Sequence, residues 1–213
     1  MGEPNRGYVL AVGLAVLGAL AMGQGMRGDD EPRRYRDLGG PRALWSIPDG
    51  EALPFSPPAR VTIPGIEVDA PTMRLGQRDD GTVDVPPFGR AEQAGWYEHG
   101  PAPGARGSAV VLGHYDDTGG PAVFYRLREL KPGARVKITR KDRRVAVFTV
   151  DAVERVPKFE FPRTRVYGDV RYAGLRLVTC GGPYDRADRS YRDNVIVYAH
   201  LTGEEGRPAQ ARP

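Results

Sequence analysis

Three side chains that could together carry out acyl transfer stand at the ends of predicted strands. Cys180 is the only cysteine and ends the apolar run "LRLVTC", His114 ends "AVVLGH", and Arg192 comes shortly before "NVIVYA". A cysteine attacks a carbonyl group as its thiolate, and a nearby imidazole can take the thiol proton and return it to a leaving amine. An arginine keeps its charge, so it can stabilise a thiolate or a developing oxyanion. The three residues together suggest acyl transfer through a thioester.

Each of the three residues also has a simpler explanation. A single cysteine is most often a small buried apolar side chain, and His114 could be an ordinary hydrogen-bonded loop histidine. Arg192 could be a surface charge that pairs with Asp185 or Asp193. Only the combination of the three favours chemistry.

The sequence next to Cys180 favours a nucleophile over core packing. Cys180 ends its strand, and Gly181 and Gly182 follow it, so the backbone there can turn sharply and approach a substrate closely. A lone thiol outside the cell is also an oxidation hazard unless it is used or shielded.

No metal-ligand motif is visible in the sequence. One cysteine and three widely spaced histidines do not form one, and Asp116 with Asp117 falls short of a calcium cage. We expect no required metal and no cofactor. The single cysteine also excludes an intramolecular disulfide framework.

Short β-strands must position these residues. "RVTIPGIEVDAP" predicts two strands around Pro64-Gly65, and "TVDVP", "GSAVVLGH", "LRLVTC" and "NVIVYAHL" predict four more. "ARVKITRK" and "RRVAVFTVDAVERV" alternate with period two, whereas "PAVFYRLREL" predicts a helical turn or two. Many short strands with few helices indicate an all-β barrel or sandwich.

The N-terminus predicts export. Residues 7–26 carry no charge and, as a helix, would reach about 30 Å, the thickness of a bilayer core. We favour an uncleaved single-pass transmembrane anchor over residues 1–27; a signal peptide cleaved near Ala19-Leu20-Ala21 is the alternative. Either way the rest of the chain is extracytoplasmic: a Pro- and charge-rich linker (28–58), a catalytic domain (59–203) and a polar tail (204–213).

Composition is compatible with this organisation. A length of 213 residues suits one domain with extra segments, and 28 glycines and 20 prolines indicate many turns. The net charge of +4 is mild and the arginines are scattered, so we expect no nucleic-acid binding.

Three separated segments resemble the sortase family, specifically the class F type of high-G+C Gram-positive bacteria. They are "VVLGHYDDTGGPAVFYRLREL", "FPRTRVYG" and "LRLVTCGGPYDRADRSYRDNVIVYA", and the resemblance extends from about Ala59 to Leu201. The order His, then a Thr-Cys strand end, then Arg is that of sortases, whereas papain-like enzymes place the cysteine before the histidine.

This resemblance implies a fold and a reaction. The fold is a closed β-barrel of about eight strands with short connecting helices. The reaction is that of a cysteine transpeptidase, which cleaves an LPxTG-like sorting signal of exported proteins and transfers the acyl group to a cell-wall (peptidoglycan) precursor amine. Cys180 would attack the threonine carbonyl, His114 would act as general acid and then general base, and Arg192 would hold substrate and oxyanion.

The resemblance also suggests how the substrate is bound. Thr179, Gly181 and Tyr115 flank the catalytic positions and are candidate substrate-binding residues. The compact segment 156–166, "VPKFEFPRTRV", is a candidate wall of the peptide groove; the alternative is ordinary packing by Phe159 and Phe161.

Two other functions use the same residues differently. A cysteine hydrolase cutting envelope peptides would resolve the thioester with water instead of an amine. A non-catalytic β-domain could bind envelope peptides with Cys180 as a core thiol. The order and type of the three motifs favour the transpeptidase.

Overall fold

Eight strands close into a barrel in the order β1-β2-β3-β4-β9-β10-β8-β7, and β5 pairs with β6 in a separate two-stranded sheet. The computed structural model describes residues 41, 43–44 and 47–206. The strands are β1 Pro58–Ile63, β2 Val68–Leu75, β3 Ala94–Tyr97, β4 Gly107–Leu112, β5 Asp116–Asp117, β6 Gly120–Pro121, β7 Arg135–Arg140, β8 Val145–Pro157, β9 Ala173–Asp185 and β10 Ser190–Glu205. The helix α1 is Arg163–Tyr167, and 3-10 turns cover Pro64–Ile66, Leu127–Glu129 and Lys158–Glu160. The predicted all-β barrel of about eight strands is confirmed.

The N-terminal predictions fall mostly outside this description. The expected anchor (1–27) and much of the expected linker lie among the residues that are not described, as does most of the polar tail. No helix within the described ranges is long and apolar enough to cross a bilayer.

Alternating side chains give the barrel wall two apolar faces. One set points inward from every part of the barrel and includes Val61, Trp96, Ile138 and Val197. The other set lies on the outer face of β4, β9, β10 and β8, where side chains from the segment 161–172 cover it. Successive residues of a strand point to opposite faces, so each side chain on these four strands lies either in the barrel interior or on the covered outer face.

Several local predictions differ from the structure. "TVDVP" is not a strand: within the described residues it contributes only an isolated bridge between Gln77 and Val83. The four-residue strand β3 and the small β5–β6 sheet were not predicted, because such short elements carry too little alternation to be recognised. The last strand continues to Glu205, two residues past the predicted domain end, because Glu204 and Glu205 still pair with β8.

A buried arginine fastens the covering segment to the outer face. Arg176 on β9 is fully buried, and its Nε donates to the carbonyl of Arg165 in α1 at 3.1 Å. Its Nη2 donates to the hydroxyls of Ser108 at 3.3 Å and Tyr172 at 3.2 Å. The guanidinium also lies over the rings of Tyr172 and Tyr198. A buried charge is tolerated only when it is paired in this way, so Arg176 ties β4, β9 and α1 together.

Arg176→Met should therefore lower the free energy of unfolding by about 2 to 4 kcal/mol, because buried acceptors lose their charged donor. Urea denaturation measures the change. Arg135→Met removes the same charge from an exposed position on β7 and should change the free energy by less than about 0.5 kcal/mol. Equal effects of the two substitutions would contradict the role given to Arg176.

Candidate active site

Parallel pairing of β4 with β9 sets the relative positions of His114 and Cys180. Leu112 is the partner of Val178 in the ladder, and the N–H of Gly113 donates to the Val178 carbonyl at 3.1 Å. Two residues further along each of the two segments, His114 and Cys180 occupy matching positions. Leu112 and Val178 belong to the outer face, so by alternation His114 and Cys180 point to that face as well.

The loop of residues 86–89 holds the His114 ring. The ring is buried, its Nε2 lies 2.6 Å from the Pro86 carbonyl oxygen, and Phe88 stacks on it with centroids 4.9 Å apart. The loop is in turn fixed by the Gly89 N–H, which donates to Asp117 at 3.3 Å. A carbonyl oxygen only accepts, so Nε2 carries the proton in this geometry. Nδ1 is then the nitrogen that can take a proton from a thiol.

Cys180 has a neutral thiol at physiological pH. Burial raises the pKa of the thiol to about 11, and the negative charge of Asp116 acts in the same direction. The charge and hydrogen bond of Lys158 act in the opposite direction and lower the pKa. With this pKa, only about one thiol in a thousand is ionised at pH 8, so the nucleophile must be generated within the site.

Arg192 lies on the same sheet but not at the sulfur. Its Nε and Nη2 donate to Asp185 Oδ2 at 3.1 and 2.8 Å, and its side chain is 67% exposed. The sequence analysis offered pairing with Asp185 or Asp193 as the alternative to a catalytic role for Arg192, and the pair with Asp185 is present. An exposed pair contributes at most about 1 kcal/mol, so the guanidinium can leave Asp185 for a substrate at low cost.

Two predicted substrate-binding residues face the barrel interior. Thr179 pairs with Val195 and is buried, and a Cβ on Gly181 would come within 2.8 Å of the Val195 side chain. Positions 179 and 181 therefore face the barrel interior, whereas the Cys180 side chain points to the outer face.

The prediction that Cys180 ends its strand is wrong, because β9 continues to Asp185 and pairs with β10 on both sides of the cysteine. Gly182 has φ of +73° and its hydrogen faces the Asp193 side chain, so the irregular part of β9 after the cysteine requires glycine there.

Tyr115, the third predicted substrate contact, belongs to a row of aromatic rings beside the site. Its ring centroid lies 4.7 Å from that of Tyr125 and 5.0 Å from that of Tyr191, and Tyr184 continues the row. The Tyr115 hydroxyl accepts a hydrogen bond from Arg128 at 2.6 Å. The row gives the site a rigid aromatic border.

Comparison with known proteins decides the family. The sequence profile of the sortase domain matches residues 61–202, which is most of the chain. The chain belongs to the sortase family. Sortases are cysteine transpeptidases that act on surface proteins.

Solved sortase structures share the fold. Sortase A of Listeria monocytogenes is 15% identical, with a TM-score of 0.53 over 71% of this chain and 90% of that one. A sortase of Actinomyces oris is 22% identical, with a TM-score of 0.53 over 76% of this chain and 92% of that one. Sortase C of Streptococcus pneumoniae is 20% identical, with a TM-score of 0.53 over 70% and 67%. A search of curated proteins found no match.

Three further residues of this sortase domain lie at the nucleophile, and the sequence did not reveal their role. Lys158 follows β8 and interacts with the Cys180 thiol, whereas Asp116 on β5 influences it by charge. The Tyr191 hydroxyl donates to Asp116, and this bond together with burial raises the pKa of Tyr191. In the described part of the chain, no three acidic, histidine or cysteine side chains cluster closely enough to bind a metal.

Asn194 is a further neighbour of Cys180. It is the direct ladder partner of Cys180 on β10, opposite the side taken by His114, and it is fully buried. Neither polar atom of its side-chain amide has a hydrogen-bond partner among the described residues. An unsatisfied buried amide costs about 1 to 3 kcal/mol, so its presence at the nucleophile favours a role in the reaction over a role in packing.

Asn194→Val should make the sortase domain more stable but less active. Removing the unpaired amide should raise the free energy of unfolding by about 1 kcal/mol, and acylation of Cys180 should slow by about tenfold or more. Urea denaturation and the rate of adduct formation by mass spectrometry measure the two effects. Thr72→Val is the control, because it removes an unpaired buried hydroxyl on β2 and should leave acylation unchanged. An unchanged acylation rate in Asn194→Val would assign Asn194 a structural role only.

Asp116→Asn should make the Cys180 thiol more acidic. The substitution removes a negative charge that raises the pKa of the thiol, while the amide oxygen can still accept the Tyr191 hydrogen bond. The pH profile of alkylation by iodoacetamide should therefore shift to lower pH. A profile that stays in place would show that Asp116 has no electrostatic influence on the sulfur.

Proposed function

We propose that this chain is a class F type sortase that cleaves an LPxTG-like sorting signal of exported proteins and joins the acyl fragment to a peptidoglycan precursor amine. The observation that carries the proposal is the parallel pairing of β4 with β9, whose last pair, Leu112 and Val178, stands two residues before His114 and Cys180. The order of the three sequence motifs and the family membership support the same reaction.

Acylation begins with proton transfer from the Cys180 thiol to His114 Nδ1. The sulfur attacks the threonine carbonyl carbon of the sorting signal, and the carbonyl oxygen becomes an oxyanion. Arg192 leaves its exposed pair with Asp185 and stabilises this charge. The C–N bond then breaks, and the imidazolium gives its proton to the departing amine, which leaves a thioester on Cys180.

Deacylation reverses these roles. The precursor amine attacks the thioester carbonyl while His114 takes its proton, a new amide forms, and the C–S bond breaks. The proton returns from His114 to the sulfur, so the enzyme ends with a neutral thiol, which is the form that its raised pKa favours at rest.

A groove of about 830 Å³ is lined by residues 181–183, Tyr115 and Arg128, among others, but neither Cys180 nor His114 lines it. On the segment 156–166, Phe161 is buried against the outer core, whereas Phe159 is 82% exposed. Phe161 therefore acts in packing, and Phe159 is the member of this segment available to contact a substrate.

We further propose that the catalytic domain works on the outer side of the cell membrane and is attached through a single N-terminal helix. The uncharged residues 7–26 support this, since their length matches a bilayer core. The precursor amine and the exported substrates are encountered there.

A sorting-signal peptide should form a thioester adduct on Cys180. Intact-mass spectrometry should show the adduct in the native protein, none in Cys180→Ala, and an acylation rate lowered about 10²-fold or more in His114→Ala. His99→Ala is the matched control, since this exposed histidine lies outside the site and its loss should not change the rate.

Adding an amine separates transpeptidation from hydrolysis. A transpeptidase should give an amide product whose yield rises with the amine concentration, whereas a hydrolase should give the free acid throughout. Full turnover by Cys180→Ala would refute both.

A further inference from the structure

A lysine, not the arginine of the sortase motif, is the cation at the nucleophile. Lys158 begins the 3-10 turn that follows β8, and its half-buried ammonium interacts with the Cys180 thiol through charge and a hydrogen bond. Its position follows from the sheet: Val156 on β8 is the ladder partner of Asn194 on β10, which in turn pairs with Cys180 on β9. Lys158 therefore lies two residues beyond the row that contains Cys180.

Ser190 holds this ammonium in place. Lys158 Nζ donates to Ser190 Oγ at 2.6 Å, and Ser190 stands at the start of β10. The hydroxyl gives the ammonium a second acceptor beside the sulfur, so the long side chain has a fixed endpoint instead of extending into solvent. A charge fixed in advance stabilises a developing anion without reorganisation during the reaction.

Arg192 is oriented away from this position. Its guanidinium forms two hydrogen bonds with Asp185, and its side chain is mostly exposed. In this arrangement Lys158 is the cation that lowers the pKa of the thiol, whereas Arg192 is paired with Asp185. The two cations thus have separate places in the site.

We propose that Lys158 is a further catalytic residue of this sortase, which stabilises the Cys180 thiolate as it forms, and that Ser190 is the residue that positions it. The proton leaves the sulfur for His114, Lys158 keeps its own proton and donates a hydrogen bond to the resulting anion, and Arg192 acts afterwards on the substrate oxyanion. The catalytic role rests on the proposed acyl-transfer function, whereas the effect of Lys158 on the ionisation of Cys180 does not.

The groups that face Cys180 come from four elements. They are His114 after β4, Asp116 on β5, Lys158 after β8 and Tyr191 on β10. Lys158 alone among them has a permanent positive charge at neutral pH. Its removal is therefore expected to move the ionisation of the thiol further from neutrality than any other single substitution of this group.

Alkylation of the native protein by iodoacetamide without any substrate tests the proposal, because Cys180 is the only cysteine. In Lys158→Met the midpoint of the pH profile should move upward, and the rate at pH 8 should fall about three- to tenfold, since lower thiolate content outweighs the higher intrinsic nucleophilicity. The plateau at high pH reports access to the sulfur, so a change of exposure is separated from a change of charge. Lys158→Arg, which keeps the charge, should restore most of the rate.

Two further variants serve as controls and keep the test open if Lys158→Met folds poorly. Lys141→Met removes the same charge from an exposed turn at the other end of β8 and should leave the profile in place. Ser190→Ala leaves Lys158 intact but removes its anchor, so the midpoint should move in the same direction by a smaller amount. Thermal unfolding confirms that each variant is folded.

The outcomes separate this inference from the proposed function. A raised midpoint in Lys158→Met supports the role of Lys158 whether or not a sorting-signal peptide is cleaved. An unchanged or lowered midpoint overturns it, even if the native enzyme cleaves and transfers the peptide.

Discussion

The parallel pairing of β4 with β9 is the constraint on which the site depends. Residues at matching positions of parallel neighbours are brought together although they are distant in sequence. His114, just after β4, and Cys180, within β9, each stand two residues beyond the last pair of this ladder. Because side chains alternate, the register that buries Leu112 and Val178 on the outer face also turns the imidazole and the thiol to that face. A slip of one residue would send one of them into the interior.

The apolar outer face must be shielded from water, and the segment that shields it also contributes Lys158 to the site. The chain between β8 and β9 packs side chains such as Val166 and Tyr172 onto β4, β9 and β10, and Arg176 binds this segment from below. The segment begins with Lys158, whose charge lowers the pKa of the Cys180 thiol. Packing and chemistry are therefore linked, since the loop that excludes water from the outer core also determines which charge reaches the sulfur.

The electrostatics of the site favour a neutral thiol at rest. Burial and Asp116 oppose ionisation of Cys180, and Lys158 only partly offsets them. A neutral thiol is less readily oxidised than a thiolate, so the resting site protects the single cysteine of the chain. The site can still form the anion when needed, because His114 Nδ1 can accept the proton and a cation is already in place.

The sequence by itself indicated an all-β domain, the resemblance to sortases and the candidates His114, Cys180 and Arg192, because strand alternation and motifs can be recognised along the chain. It did not determine where side chains of remote segments meet. Lys158 and Asn194 resemble ordinary surface and strand residues until the β8–β10–β9 register places both beside Cys180. The direction of Arg192 was likewise decided by a local ion pair. Such contacts depend on pairing between distant strands, which only the tertiary structure sets.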